Sequence, residues 1–172
     1  MEDTPIRQTR RKGFSLVELM ITIAVLVILI SLAAPHFSTL VENHRTSSTT
    51  NALASALNLA RSEAVRRGLD AAVCPDGNDW EDGWETRVYA MDEDPSDCGQ
   101  GTVLQHWAGP ASTIQVAANG PLAFDALGAQ SSPEPTDATM RIWPQGCSGE
   151  RARSLHVEPG GRVSTRPDNC PE

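Results

Sequence analysis

Positive charge, aromatic side chains and locally paired cysteines are all scarce in this chain. Lysine and arginine number 14 against 22 aspartates and glutamates, a formal net charge of −8 over 172 residues. Residues 1–13 hold four basic and two acidic side chains, a net of +2, which leaves −10 for the rest. An acidic body excludes broad nucleic-acid binding, because phosphate backbones are held by lysine and arginine; only a local basic patch could do it. Aromatics make up 5% of residues, and Trp80, Trp84, Trp107 and Trp143 read as core anchors rather than as ligand-stacking platforms. None of Cys74, Cys98, Cys147 and Cys170 lies in a CxxC pair, so zinc-ribbon and thioredoxin-type chemistry have no local support. His36, His44, His106 and His156 are scattered; there is no HExxH, no P-loop and no Ser-His-Asp or Cys-His pattern. Two acid-rich stretches, Asp76 to Asp82 and Asp92 to Asp97, lack EF-hand spacing and read as solvated loops. The chain is therefore not expected to be an enzyme or to carry a cofactor or a metal.

What the chain does have is one long apolar run near its start. Residues 14–34 number 21, and Glu18 is their only charged member. A bilayer core needs roughly 20 apolar residues in a helix, whereas a cleaved secretory signal has an apolar core of about 7–15. Pro35 follows directly, and the apolar face continues at Phe37, Leu40 and Val41. The run therefore reads as a retained membrane helix over residues 14–36. Arg7, Arg10, Arg11 and Lys12 precede it, which places the N-terminus in the cytoplasm and the remainder on the far side.

An acidic residue inside an apolar helix is costly unless a cation meets it. A cut between Gly13 and Phe14 would create such a cation, a new amine at Phe14. Geometry within one helix is awkward for that pair, so the amine of a neighbouring subunit is the better partner for Glu18.

The segment Gly13-Phe14-Ser15-Leu16-Val17-Glu18 resembles the signal of type IV prepilins and type II secretion pseudopilins. That resemblance implies cleavage after Gly13 by a prepilin peptidase, N-methylation of Phe14, and a role for Glu18 in subunit docking. It also implies a helix break at Pro35. The segment Asn58 to Gly68, followed by a short strand and by Trp80-Glu81-Asp82-Gly83-Trp84, is similar to the GspH/FimT family of minor pilins and minor pseudopilins. The implied architecture is α+β and type IV pilin-like. It comprises a leader (1–13), a membrane-spanning helix half (14–36), an amphipathic helix half (37–67) and a periplasmic β-rich head (68–172). The implied partners are the prepilin peptidase, other pilins or pseudopilins, and inner-membrane lipid. The implied role is a structural subunit that initiates or caps a type IV pilus or a type II secretion pseudopilus.

Within the second helix half, Leu53, Leu57, Ala60 and Ala64 follow helical spacing and form one apolar stripe meant for a sheet. Arg61 and Glu63 read as a solvated face or a helix-to-sheet ion pair. The hydroxyl-rich run of residues 46–50 is expected to loosen the helix, and Gly68 to stop it. Beyond it, strands are expected at residues 71–74, 85–91, 102–107, 112–117, 138–143, 154–157 and 162–165, in a small antiparallel head. Asp82-Gly83 and Gly160-Gly161 read as turns, and residues 128–137 as a loop. Past a membrane segment, four spaced cysteines read as disulfides of an oxidising compartment. Three pairings are open; Cys74 with Cys98 and Cys147 with Cys170 is favoured, because each closes a short loop without entangling the other.

The C-terminal part is locally basic, with Arg141, Arg151, Arg153, Arg162 and Arg166 opposed by Glu150 and Glu158. Some FimT-like pilins bind DNA through a Gly-Arg-x-Arg element, and Gly161-Arg162-Val163-Ser164-Thr165-Arg166 resembles it with the second arginine two residues late. The alternative function is therefore a DNA-binding minor pilin for uptake in natural transformation, using Arg162 and Arg166 with Arg151 and Arg153. The competing reading is that these arginines balance nearby acids on the same head.

Overall fold

The computed structural model describes residues 14–77, 79–133 and 138–171, with side chains at 32–36 left aside. The leader with Gly13, the basic cluster before it, and Asn78 lie outside the described residues. The chain divides into two compact units, Met1–Thr39 and Leu40–Glu172.

In the first unit the described residues are the start of helix α1, Leu16–Arg67. Ser15 caps it: its Oγ accepts the Glu18 N–H at 3.1 Å and its carbonyl accepts the Leu19 N–H at 3.1 Å. Thr22 and Ser31 return their hydroxyls to the carbonyls of Leu19 and Ile28. The large apolar side chains from Phe14 to Ile30 are each at least half exposed. Among the described residues, no helix is long and apolar enough to cross a membrane. The helix assignment carries through position 35, so the break expected at Pro35 is not a gap in the element. A proline deletes one N–H bond and can bend a helix without ending it.

The second unit holds the head. Here the hydroxyl-rich run does not loosen α1. Thr46 and Thr50 are buried and bond back to the carbonyls of Glu42 and Thr46, at 3.0 and 2.8 Å. Leu53, Leu57, Ala60 and Ala64 are fully buried, joined by Ala56. The helix closes at Gly68, where the N–H groups of Gly68 and Leu69 both reach the Ala64 carbonyl.

Nine strands follow: β1 Ala71–Asp76, β2 Asp79–Val88, β3 Thr102–Ala108, β4 Ile114–Ala118, β5 Leu122–Phe124, β6 Gln130–Ser132, β7 Ala138–Pro144, β8 Ala152–Val157 and β9 Val163–Asp168. They form two antiparallel sheets, ordered β3-β2-β1-β5-β6 and β4-β7-β8-β9. The apolar stripe of α1 meets both: Val73, Trp84 and Phe124 come from the first sheet, Met140, Ile142 and Leu155 from the second.

Several expectations are corrected. Two strands, β5 and β6, had no separate signal, and β6 falls inside the stretch expected to be a loop. Each has three residues, too few for a periodic pattern, and each exists through pairing with its neighbour. Asp82-Gly83 is not a turn but lies within β2, which starts at Asp79. A Cβ on Gly83 would sit 2.5 Å from the Trp107 carbonyl oxygen, so the glycine admits the neighbouring strand. Trp80 and Trp84 are buried core residues and the partly buried Trp107 packs against the core, whereas Trp143 is only partly covered and lies outside that cluster.

The cysteines pair as Cys74–Cys98 and Cys147–Cys170, with Cα separations of 5.7 and 5.6 Å. The first ties the loop after β2 onto the outer side of the first sheet, over Tyr89. Burial pushes the Tyr89 phenol up to about 12.

Candidate functional site

Two places carry the residues singled out in the sequence. The first is the start of α1. Phe14 precedes the cap and is exposed, and Glu18 occupies the third helical position. Ser15 and Glu18 thus have capping-box spacing, Ser-x-x-Glu, a signal that was present in the sequence. A carboxylate in the first turn also meets the positive end of the helix dipole. The cap leaves Phe14 outside the helix.

The second place is the sheet β4-β7-β8-β9. Its register divides the arginines. Leu155 pairs with Thr165, and Arg153 with Pro167, on the side that faces α1; Ser154 pairs with Arg166 and His156 with Ser164 on the other. Arg151 is engaged: its Nη2 donates to Glu42 Oε2 at 2.6 Å and its Nε to Asn43 Oδ1 at 3.2 Å. Arg153 lies in a polar groove with Ser47, Thr50 and Asn51 of the helix. Arg141 is engaged on the outer side, by Asp168 Oδ2 at 3.0 Å and the Asn169 carbonyl at 2.7 Å. Arg162 and Arg166 are exposed, and among the described residues their guanidinium groups have no partner. The four arginines named for DNA are therefore not gathered on one surface. Sequence alternation could relate Arg162 to Arg166, but the α1 contacts of Arg151 had no signal.

Arg61 is neither free nor ion-paired. Its Nε donates to the Gly128 carbonyl at 3.0 Å and its Nη2 to the Gly160 carbonyl at 3.1 Å, which ties a loop of each sheet to the helix. Glu63 bonds along the helix to Arg66 and Arg67, and those hydrogen bonds hold its carboxyl below the usual range. Asp70 has the opposite shift: burial raises its pKa and the nearby Asp125 adds to the rise, against the N–H of Ala126. Among the described residues no cluster of His, Cys, Asp or Glu could hold a metal ion.

The family model described as type II transport protein GspH matches residues 49–161, from the buried stripe of α1 to the turn before β9. The chain belongs to the GspH family. A second model, the prokaryotic N-terminal methylation motif, matches residues 8–34, which includes Gly13, Phe14 and Glu18. Among solved structures, the type IV minor pilin FimU of Pseudomonas aeruginosa is 25% identical, with a TM-score of 0.60 over 73% of this chain and 91% of that one. The minor pseudopilin EpsH from the type 2 secretion system of Vibrio cholerae is 14% identical, with a TM-score of 0.55 over 72% and 97%; it supports the fold alone. No curated protein matches the chain. This GspH-family chain is a minor pilin or minor pseudopilin, with the α+β type IV pilin-like fold. Its methylation motif marks it as a substrate of a prepilin peptidase and a subunit that assembles with other pilins.

Proposed function

We propose that this chain is held in the inner membrane by residues 14–36, cut after Gly13, methylated at Phe14, and then built into a thin filament by way of Glu18. The head, residues 68–172, stands on the periplasmic side with the second helix half packed on it. The role is mechanical, and no catalytic step is assigned to the chain. The observation that carries the reading is the methylation motif over residues 8–34 on the same chain as the GspH match. Two physical features support it. The apolar residues of 16–30 are exposed, a surface that needs lipid or sister helices. The helix opens at the Ser15 cap, which leaves Phe14, the residue to be methylated, ahead of its first turn.

Co-expression with a prepilin peptidase, read by intact mass, should show loss of residues 1–13 and gain of one methyl group. Gly13→Val should block the cut. Normal processing of that variant would overturn the reading. Glu18→Ala should be processed and yet fail to enter filaments.

A second reading, DNA held by the head, is favoured by the exposure of Arg162 and Arg166, whose guanidinium groups have no partner among the described residues. Gel shifts of the head at two salt concentrations test it: binding should weaken with salt and disappear in the Arg162→Ala, Arg166→Ala double variant. No shift at low salt removes it.

A further inference from the structure

The second sheet ends on a strand whose outer edge is unpaired. In the order β4-β7-β8-β9, strand β9 bonds β8 on one side only. The β8–β9 turn fixes which groups it leaves free. The Glu158 N–H donates to the Arg162 carbonyl at 2.9 Å, so these two residues form a hydrogen-bonded pair. Bonded and non-bonded pairs alternate along an antiparallel ladder. His156 with Ser164 and Ser154 with Arg166 are then bonded pairs as well, and the intervening Val163, Thr165 and Pro167 turn their backbone groups away from β8. Pro167 fits that parity, because its ring removes an N–H that β8 would not have used. The free edge offers the N–H groups of Val163 and Thr165 and the carbonyls of Val163, Thr165 and Pro167, and no described residue bonds them. Such an edge is a template for another strand. Of the other sheet ends, β6 has three residues, β4 has no charged side chain, and the β2–β3 ladder is broken by a bulge.

Cations flank this edge on both faces. On the inner side Arg153 opens into a groove of about 180 Å³ between β9 and α1, lined also by Ser47, Thr50, Asn51 and Thr165. Arg153 is half-buried, and no described residue accepts from its guanidinium; Glu150 borders it in the neighbouring groove without an ion pair among the described residues. A partly desolvated guanidinium without an acceptor is unfavourable, and a carboxylate satisfies it with two parallel N–H bonds. On the outer side, Arg162 and Arg166 share a face by alternation, exposed and without a partner among the described residues.

We propose that the free edge of β9 takes an extended acidic segment of a partner protein as a fifth strand of this sheet. One carboxylate of that segment enters the groove at Arg153, and its neighbour along the strand, pointing to the opposite face, meets Arg166. Nucleic acid lying on the outer side would reach Arg162 and Arg166 but not Arg153, and it has no ladder of N–H and carbonyl groups to match the edge. An extended peptide uses the cations of both faces and the backbone between them, which is why the arginines need not gather on one surface.

The test uses the full-length chain in nonionic detergent and a fluorescein-labelled octapeptide of threonine and valine with two adjacent glutamates at its centre. Anisotropy should show saturable binding that weakens with salt, and hydrogen exchange should slow at the Val163 and Thr165 amides. A twin peptide with lysines in place of the glutamates should not bind. Arg153→Gln should raise the Kd about tenfold, the scale of one charge-assisted contact. Thr165→Pro removes an edge N–H that no β8 carbonyl uses, so it should keep the parent's thermal melt and lose the peptide. An unaltered Kd in either variant overturns the proposal, as does no binding by the parent, equal binding of the lysine peptide, or exchange at Val163 and Thr165 that the peptide leaves unchanged. Should Thr165→Pro unfold the head, the Arg153→Gln Kd and the parent's amide exchange decide alone. A single-stranded oligonucleotide that binds where the peptide does not assigns the arginines to nucleic acid, and slowed exchange of the edge amides in concentrated chain without peptide makes a second copy the occupant; either result ends the proposal. Uncut chain should bind the peptide equally well. Failure of the peptide therefore leaves the filament reading standing, and failure of the cut after Gly13 leaves this edge untouched.

Discussion

Replacing Gly161 by alanine would put a methyl carbon 1.8 Å from the Gly128 carbonyl oxygen. Gly161 also has φ +77°, where an L side chain costs roughly 1–2 kcal/mol. The blocking atom is backbone, and it is pinned in turn: the same oxygen accepts Arg61 Nε, whose other arm holds the Gly160 carbonyl. Relief therefore requires moving the β5–β6 loop away from the β8–β9 turn, an overpacking cost of about 1–3 kcal/mol. Together the two terms give a loss of about 2–5 kcal/mol. Two controls separate them. Gly160→Ala has no positive φ and no atom within 4 Å, so it should change stability by less than about 0.5 kcal/mol. Gly146→Ala, at φ +66° with the same open space, should lose only the backbone part, about 1 kcal/mol. The assay is urea unfolding of the oxidised head, followed by tryptophan fluorescence, with an unchanged m-value as the check on two-state behaviour. A Gly161→Ala loss below about 1 kcal/mol, or one matched by Gly160→Ala, would refute the steric reasoning.

Three further outcomes are expected. Tyr89 is the chain's one tyrosine, so ultraviolet titration of the phenol reports on it alone; the midpoint should be about 12 in the folded head and about 10 in denaturant. Because the folded value is the higher, the stability it contributes is complete below pH 10 and is lost as pH rises through 12; a folded midpoint near 10 would show that the ring is not buried. Cys147→Ser with Cys170→Ser opens a loop of sequence separation 23 and should cost about 3 kcal/mol of unfolding free energy, against no change if the loop is already constrained. Arg151→Ala leaves Glu42 and Asn43 without their partner and should cost about 1–2 kcal/mol, and a double-mutant cycle with Glu42→Gln that shows no coupling would mean the bond is not formed in solution.

The parts legible beforehand were those written in contiguous residues. The stripe Leu53, Leu57, Ala60 and Ala64 obeys the 3.6-residue period, and all four are buried. The Ser-x-x-Glu spacing at Ser15 and Glu18 is contiguous too, but it was not read as a helix start, and it is the structure that shows the Ser15 hydrogen bond. Elsewhere local patterns misled, because a partner strand decides what they become. Asp82-Gly83 has turn composition, but pairing with β3 keeps it in an extended strand. The β5 segment is three residues of a longer mixed stretch, and β1 makes it a strand. Arg61 has two carbonyl partners 67 and 99 residues away, contacts to which helical periodicity is blind.

The sequence by itself determined the order of the parts: a basic prefix, Gly13 and Phe14, an apolar run with one carboxylate, a helix stripe, then short strands punctuated by turns. These are properties of neighbours along the chain, set by period, capping and hydropathy. Tertiary structure alone decided which cation is spent and which is free. Arg151 is taken by Glu42 and Asn43, and Arg141 by Asp168, while Arg162 and Arg166 are left exposed. It also decided that Gly161, and not Gly160, must lack a side chain. The reason is the same in each case. Strand register and the packing of two sheets on one helix set distances between residues far apart in sequence, and charge pairing and steric exclusion depend on those distances.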